Sequence, residues 1–375
     1  MKVLSISTDR MVFEKGSAVR SRLLEYGGLI EELHVIVFAK KSLGLHDEVI
    51  EPNIFLYPTN SISKFFYIAS AILFALKLRR RGVMIDVVTT QDPFEAGFAG
   101  YIIARIFKSH LHLQIHTDVM SPYFRNESMV NRIRVMLAKF LIPRAHAIRV
   151  VSMRIKKSIE SIVKKNTSIT VLPITSNIEN TNHASEPDLR KKYPQFNKVI
   201  LVASRLAQEK NIDMALDAMR AVIKKYPQAG LVIVGEGTEE THLKSLVREY
   251  SLEKNVLFES WQKDLSPYYR SADIFLLTSN YEGYGMTVVE ALSAGCPVIM
   301  TDVGCAGEVV KDNENGLIVP VGDSQALVRA MESLISNNVR LTVKIPVLSS
   351  KEEYLATYKK SWDDHIRRDT SFLLI

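Results

Sequence analysis

The sequence has little cysteine, no long hydrophobic run and no low-complexity segment. Its two cysteines, Cys296 and Cys305, have no metal-ligand companions nearby, which fits a reducing compartment and argues against a disulfide framework. The longest apolar run, Phe65–Leu76, is too short to span a bilayer, so we expect a core-facing helix there. The opening MKVLSISTD predicts a strand rather than a signal peptide. We therefore expect a cytoplasmic protein.

Several motifs are also missing, and each absence excludes a class of function. The glycines of Gly235–Gly237 are too few and wrongly spaced for the dinucleotide fingerprint G-x-G-x-x-G, which argues against a dehydrogenase. No zinc-ligand spacing or stacking-aromatic motif indicates a nucleic-acid module, so we expect no nucleic-acid partner. No Asp-x-Asp pair follows a strand, and we predict no cofactor and no essential metal.

Charge is unevenly distributed along the chain. Residues 1–180 hold 25 Lys and Arg against 15 Asp and Glu, a net charge of +10, whereas the remaining residues hold 23 against 26. An anionic membrane surface, a phosphate-bearing substrate and a solvated basic face all remain open as explanations. The basic positions that favour peripheral contact with an anionic membrane, on the inner face of the cell membrane, are Lys77, Arg79–Arg81, Arg132, Arg134 and Lys139.

Short apolar runs alternate with helical patterns along most of the chain, which predicts an α/β fold with parallel sheets. The pattern stops at Asn177–Asn197 and restarts at Lys198–Ala203 (KVILVA). We therefore predict an N-terminal Rossmann-like domain at 1–176, a linker at 177–197, a C-terminal domain at 198–345 and a final helical segment at 346–375.

The stretch Leu276–Ala294 lies at the centre of the functional interpretation. A buried strand precedes a loop with Glu282 and Gly285, and a helical pattern begins at Thr287. Thr287 and Glu290 have capping-box spacing, so a capping role for Glu290 and a binding role both remain open. Ligands bind at such strand-to-helix turns in open α/β sheets. Carboxylates there can accept hydrogen bonds from sugar hydroxyls.

Two cations follow the first strand of the second half. Arg205 stands directly after the strand, and Lys210 stands where the next helix is expected to begin. Arginine offers a forked, bidentate grip on an anion and lysine a point charge. The placement of both residues at one strand end favours phosphate binding over two solvated surface residues.

Four motifs occur in an order that resembles the donor half of retaining GT-B glycosyltransferases of family 4. They are Ser204–Asn211 (SRLAQEKN), Val234–Gly237 (VGEG), Glu282–Glu290 and Glu290–Val298 (EALSAGCPV). Acceptor-half landmarks are similar at Gln91–Pro93, Gln114–Asp118 and Arg149–Ser152, and Lys351–Asp364 resembles the family's return helix. The resemblance implies two Rossmann-like domains that face a central cleft, with the final helix crossing back to the N-terminal domain.

The resemblance also implies a role for each matching residue. The donor is expected to be a nucleotide-diphosphate sugar and the acceptor a glycan, a lipid-linked acceptor or another hydroxyl, as in cell-envelope polysaccharide synthesis. Arg205 and Lys210 would hold the diphosphate, Glu290 the ribose and Glu282 the donor sugar. The remaining implied positions are donor-binding Gly235, Gly285, Met286 and Thr287, base-side Ser260, Trp261 and Gln262, catalytic His116, and acceptor-side Gly16 and Asp118.

The chain departs from the family pattern in places. One glycine, Gly16, stands in the first loop where many members have two, Ser260 replaces a common glycine, and Cys305 and Ala306 follow Gly304. Two other functions remain open: a GT-B enzyme of different chemistry, such as a nucleotide-sugar epimerase, and a catalytically silent nucleotide-sugar-binding protein. Intact Arg205 and Lys210 count against the silent protein.

Overall fold

The computed structural model of the protein describes residues 1–174, 188–339, 341–342 and 349–363. By internal packing the chain divides into two compact units, Met1–Pro173 with Ser349–Ile375, and Ile174–Leu348. Each unit is built around its own sheet, with eight strands in the first and six in the second. The predicted alternation of strands and helices is therefore observed in both halves.

The strands of the first unit are short and largely buried. They are β1 (Lys2–Ser7), β2 (Glu32–Val37), β3 (Glu48–Glu51), β4 (Ile54–Pro58), β5 (Val87–Thr90), β6 (His110–Ile115), β7 (Ala147–Val150) and β8 (Ser168–Val171). The helices between them are α1 (Ala18–Gly27), α2 (Tyr67–Arg80), α3 (Glu95–Phe107), α4 (Pro122–Glu127), α5 (Met129–Leu141) and α6 (Met153–Ile159).

The sheet of the first unit has the order β3-β4-β2-β1-β5-β6-β7-β8, and every neighbouring pair except β3 with β4 is parallel. The chain leaves β1 toward β2 on one side and reaches β5 on the other side, so a topological switch point lies between β1 and β5. Serine side chains start α1, α5 and α6, where Ser17, Ser128 and Ser152 accept hydrogen bonds from backbone amides three residues on.

The second unit repeats the alternation of strands and helices. Its elements are α7 (Leu189–Lys192), β9 (Lys198–Ala203), α8 (Ile212–Lys225), β10 (Ala229–Val234), α9 (Glu240–Glu249), β11 (Val256–Glu259), α10 (Ser266–Ser271), β12 (Ile274–Leu277), α11 (Met286–Ser293), β13 (Val298–Thr301), β14 (Gly316–Val319) and α12 (Ser324–Ile335). The strands are continuous apolar runs because a parallel sheet covered by helices is buried on both faces.

The sheet of the second unit has the order β11-β10-β9-β12-β13-β14, and all of its pairs are parallel. This is the doubly wound order, with its switch point between β9 and β12. The segments that follow β9 and β12 therefore leave neighbouring strands at the same edge of the sheet. These are the segments that carry Arg205, Lys210, Glu282 and Glu290.

The last described helix, α13 (Lys351–Asp363), packs on the first unit. Tyr354, Tyr358 and Trp362 are buried in that unit's core cluster. The buried guanidinium of Arg149 donates to Tyr354 Oη over 3.0 Å and lies 4.8 Å from the centre of the Tyr358 ring. The predicted return of the final helix to the N-terminal half is therefore observed.

Two stretches singled out in the sequence have a clear local structure. Part of the predicted linker, from Asp188 onward, contains α7 and is anchored to β11: Lys192 Nζ lies 2.8 Å from a Glu259 carboxylate oxygen, and Tyr193 Oη donates to Glu259 over 2.5 Å. Residues 177–187 of that linker lie outside the described residues. The core-facing helix expected at Phe65–Leu76 is observed as α2, which buries Tyr67, Ala71 and Ala75, while Phe65, just before the helix, is 95% exposed.

Candidate functional site

The loops after β9 and β12 are joined by hydrogen bonds at the switch point of the second unit. Asn280 N donates to Glu209 O over 2.8 Å, and Thr278 Oγ1 donates to Lys210 O over 2.9 Å. The Asn211 side-chain amide also donates to Asn280 Oδ1 over 3.1 Å. These bonds fix the two loops in one local arrangement.

Lys210 and Glu282, which stand 72 residues apart, form an ion pair in this arrangement. Lys210 Nζ lies 2.5 Å from Glu282 Oε1, and Ser279 Oγ donates to the same oxygen over 2.8 Å. The two side chains are only 18% and 13% exposed. Because the ammonium is already paired with Glu282, it can hold an arriving anion only by sharing or exchanging that contact, at a place where water screens charges little.

Arg205 is placed differently from Lys210. Its side chain is 78% exposed and pairs with Glu209 Oε1 over 2.8 Å. A surface pair of this kind contributes little to stability and costs little to separate. The structure therefore brings Lys210 together with Glu282 but leaves the Arg205 guanidinium at the surface, where it is free to turn toward a ligand.

The loop after β10 approaches the loop after β9 closely, and two glycines make this possible. Gly235 has a φ of +143°, and a Cβ atom there would lie 1.9 Å from Ser204 O. A Cβ atom on Gly237 would lie 2.1 Å from Leu206 O. Leu206 N donates to Glu236 O across this contact. Gly235 therefore supports the backbone from which Arg205 projects.

Helix α11 begins at Met286, directly after the Glu282 loop. Gly285 is the N-cap residue and has a φ of +91°, in the left-handed region that favours glycine. Among the described residues, none accepts a hydrogen bond from the amides of Met286 and Thr287. Unpaired amides at a helix start, together with the helix dipole, favour an anion.

Of the two roles left open for Glu290, the structure excludes capping. The helix starts at Met286, so Thr287 lies inside the helix and is not its N-cap residue. Glu290 instead lies within the helix and accepts a hydrogen bond from Tyr269 Oη over 3.1 Å. Burial raises the pKa of Glu290, while the bond from Tyr269 acts in the opposite direction. Capping therefore does not explain an acid at this position.

We expect Glu290→Gln to weaken nucleoside diphosphate binding without lowering the melting temperature. A carboxylate whose pKa is raised by burial is unfavourable when charged, so its removal at pH 7 does not cost stability. The lost charged hydrogen bonds to a ribose should cost roughly 1.5–3 kcal/mol of binding free energy. Calorimetric titration and thermal unfolding would measure the two quantities. A lower melting temperature with unchanged affinity would instead assign Glu290 a structural role.

The segment Ser260–Gln262 follows β11, the outer strand of the same sheet edge. Trp261 is 65% exposed, and its amide lies 3.3 Å from Glu236 Oε1. In the sheet order β11 lies two strands from β9. At about 4.8 Å between neighbouring strands, this loop begins about 10 Å from the end of β9. The exposed indole is available to stack on a planar ring.

In the first unit, His116 and Asp118 follow β6. His116 Nδ1 and Asp118 Oδ1 are buried, and neither has a hydrogen-bond partner in the part of the chain that the structure describes. Burial, and secondarily the charge of Arg149, lowers the pKa of His116 to about 3, so the imidazole is neutral at pH 7. Gly16, in the loop after β1, has a φ of +81° and an open surrounding.

Comparison with known proteins bears on both units. A family model described as Glycosyl transferases group 1 matches residues 186–358. The match is to a glycosyltransferase family. The group 1 segment contains the candidate residues of the second unit, from Arg205 to Glu290.

One relative of the chain is LpsB of Rhizobium meliloti, a lipopolysaccharide core biosynthesis mannosyltransferase. It is 32% identical over 144 residues, which cover 36% of this chain and 41% of LpsB. Four curated relatives are matched over 40%, 41%, 48% and 66% of their own lengths. The chain thus spans about half the length of these proteins.

Solved structures match over both units. Sucrose-phosphate synthase from Thermosynechococcus elongatus has a TM-score of 0.73 at 18% identity, over 98% of this chain and 94% of that chain. Anabaena Alr3699/HepE in complex with UDP has a TM-score of 0.66 at 20% identity, over 100% and 98% of the two chains. At these identities the likeness concerns the fold. It confirms the predicted α/β class with two Rossmann-like halves of the GT-B type.

Sequence reasoning missed two residues of the group 1 segment that hold the candidate acids in place. Tyr269 donates to Glu290, and Ser279 donates to Glu282. Ser279 stands in the loop already singled out, three residues before Glu282. Tyr269 lies on α10, and its spacing from Glu290 carries no local signal because a tertiary contact brings the two side chains together.

Proposed function

We propose that the protein transfers a sugar from a nucleotide-diphosphate sugar to a hydroxyl acceptor with retention of anomeric configuration, as a family 4 enzyme would. The observation that carries the proposal is the Lys210–Glu282 pair at the switch point, next to the start of α11 and within the group 1 segment. Here one cation, two helix-start amides and a carboxylate stand on two joined loops. These groups suit a ligand that is both anionic and rich in hydroxyls.

The roles follow from the chemistry of each group. Cleavage of the bond between sugar and diphosphate leaves negative charge on the departing oxygens. Lys210 and Arg205, with the amides of Met286 and Thr287, would stabilise that charge where it develops. Glu282 would accept hydrogen bonds from the donor sugar and Glu290 from the ribose, while Trp261 would stack on the base.

The first unit would supply the acceptor side. Within the described residues, two buried atoms of this unit have no hydrogen-bond partner, His116 Nδ1 and Asp118 Oδ1. Buried polar atoms usually have partners, so these two suit a ligand with hydroxyl groups. A neutral imidazole can donate to or accept from a hydroxyl. A glycan acceptor of cell-envelope synthesis is proposed because LpsB acts in lipopolysaccharide core biosynthesis.

The change in melting temperature when candidate ligands are added gives the first test. UDP, GDP, CDP, ADP and their glucose and mannose conjugates would be compared by thermal shift, beginning with UDP because Alr3699/HepE was solved with it. A ligand at 100 times its Kd stabilises by about 2.7 kcal/mol. The sugar conjugate that stabilises most would then serve as donor, and NMR of the product would give its anomeric configuration.

Glu282→Gln separates a transferase from a silent binding protein. The change keeps the size of the side chain and removes the charge, so it should spare nucleoside diphosphate binding and lower transfer. Asp217→Asn, an acid on α8, is the matched control. Binding in the parent protein without transfer to any acceptor or to water would favour the silent protein.

We expect transfer to persist in excess EDTA, with a loss of less than about two-fold, because protein cations would replace a metal as the charge-stabilising groups. Among the described residues, no group of three or more His, Cys, Asp or Glu residues could hold a metal ion. Initial rates would be compared with and without EDTA, and then with added Mg²⁺. A loss in EDTA that Mg²⁺ restores would contradict the assignment of Lys210 and Arg205.

A further inference from the structure

Helix α5 carries apolar side chains on two opposite faces. Its buried face includes Val135, Ala138 and Leu141, which pack into the first unit. The opposite face exposes Met129, Ile133, Met136 and Phe140, whose exposed fractions are 68%, 56%, 70% and 39%. A surface helix normally presents polar residues on the face away from the core. This exposed apolar face, here called the α5 stripe, therefore needs an explanation.

The spacing of the four residues makes the stripe continuous. They follow one another at intervals of four, three and four residues, the spacing that keeps side chains on one side of a helix. The 13 residues of α5 extend about 20 Å at 1.5 Å per residue. The stripe is thus a narrow apolar ridge along the full helix. Exposed contiguous apolar surface of this kind marks an interaction site.

Cations flank the stripe, and α5 contains no acidic residue. Arg132 and Lys139 are exposed beside it. Arg144 lies 3.8 Å from the centre of the Phe140 ring and donates to Phe140 O over 2.6 Å. Arg134 is excluded from this set because it pairs with Glu95 of α3. The surface is therefore an apolar ridge with a basic border.

We propose that the α5 stripe docks into the interfacial region of an anionic lipid bilayer. A helix of this composition lies in the membrane plane, with its apolar side chains below the headgroups and its cations among the phosphates. A second copy of the same surface would bring the same cations together, which disfavours a symmetric dimer through α5. None of the described helices is long and apolar enough to cross a membrane. The proposal does not depend on the proposed transferase activity.

A second basic group, Arg79–Arg81, lies at the end of α2, apart from the cations beside the α5 stripe. They are exposed, and α3 packs against both α2 and α5. Electrostatic attraction to an anionic leaflet is worth about 1 kcal/mol per cation, or about five-fold in affinity. Neutralising them should therefore weaken binding without removing the apolar insertion.

Fluorescent labelling tests the stripe directly. The two native cysteines are free and buried, so Met136→Cys introduces an exposed thiol that can carry an environment-sensitive NBD dye. Val49→Cys is the control. Val49 is 62% exposed on β3, and β3 lies five strands away in the sheet from β6, the last strand before α5 in the chain. With vesicles of about 30% phosphatidylglycerol in phosphatidylcholine, an anionic surface of the required kind, the dye at position 136 should brighten and shift to the blue, and the dye at position 49 should not.

Co-sedimentation with the same vesicles gives the affinity. Ile133→Glu should weaken binding by about ten-fold or more, because it removes an inserting side chain and adds a repelled charge. Val49→Glu makes the same change in net charge away from α5 and should weaken binding far less. Both variants should keep the circular dichroism spectrum and the melting temperature of the parent protein, which shows that both are folded.

Three outcomes would overturn the proposal. One is an unchanged dye signal at position 136 under conditions in which the protein co-sediments with the vesicles, since another surface would then make the contact. A second is equal weakening by Ile133→Glu and Val49→Glu. The third is a signal at position 136 that rises with protein concentration without lipid, which would assign the stripe to contact between copies of the chain.

Discussion

Replacing Lys210 with alanine should lower kcat/KM for sugar transfer by about 10²–10³-fold, the loss that follows removal of one preorganised donor to a developing negative charge. Lys210 has the required placement, since its ammonium is largely buried at the switch point and is fixed by Glu282. Initial rates at low donor concentration would measure the effect. Lys224→Ala, an exposed lysine near the other end of α8, should leave the rate unchanged.

The same substitution leaves the Glu282 carboxylate without its cation. A stranded, partly buried acid can itself disturb the loop, so the double variant Lys210→Ala with Glu282→Gln is needed. If loss of the cation is the cause, the double variant should transfer sugar at least as slowly as the single one, and its nucleoside diphosphate binding, which Glu282→Gln alone should spare, should stay as weak as in the single variant. Recovery of the rate in the double variant, or a loss below about five-fold in the single one, would contradict a direct role for Lys210.

Gly235→Ala should destabilise the second unit by about 2–6 kcal/mol, the sum of two costs. The new Cβ would lie 1.9 Å from Ser204 O, and an alanine would have to hold a φ of +143°. Backbone strain of this kind costs roughly 1–3 kcal/mol, and overpacking adds about 1–3 kcal/mol. The melting temperature should fall by roughly 4–24 °C. Nucleoside diphosphate binding should weaken as well, because the turn that carries Arg205 must move.

Gly295→Ala is the matched control for this variant. Gly295 also has a positive φ, +82°, but no atom lies within 4 Å of the point that its Cβ would occupy. The control therefore carries the cost of backbone conformation without the clash, about 1 kcal/mol. Equal melting temperatures for the two variants would show that the close approach of the β9 and β10 loops has no special importance.

Much of the second unit's site could be predicted because its signals are local. The runs KVILVA and IFLL predict buried strands, and charged residues stand shortly after them. Since parallel strands present their carboxyl ends at one edge, Lys210 and Glu282 could be expected near each other. The pairing itself depends on the strand order, in which β9 and β12 are neighbours despite the two strands between them in the chain.

The errors arose where tertiary packing or a single backbone conformation decides the structure. Thr287 and Glu290 have capping-box spacing, but Gly285 adopts a left-handed conformation and starts the helix earlier. The charges of α5 were visible in the sequence, whereas its exposed apolar stripe was not, because apolar residues occur all round the helix. Only the packing of Val135 and Ala138 shows which face is buried.

The central claim is that the switch point of the second unit binds a diphosphate through Lys210. Calorimetric titration of the best nucleoside diphosphate and of its parent nucleoside, each into the parent protein and into Lys210→Ala, tests it most directly. We predict that the diphosphate binds the parent protein at least about ten-fold more tightly than the nucleoside does, and that Lys210→Ala removes most of this difference. An advantage of the diphosphate that persists unchanged in Lys210→Ala would contradict the claim.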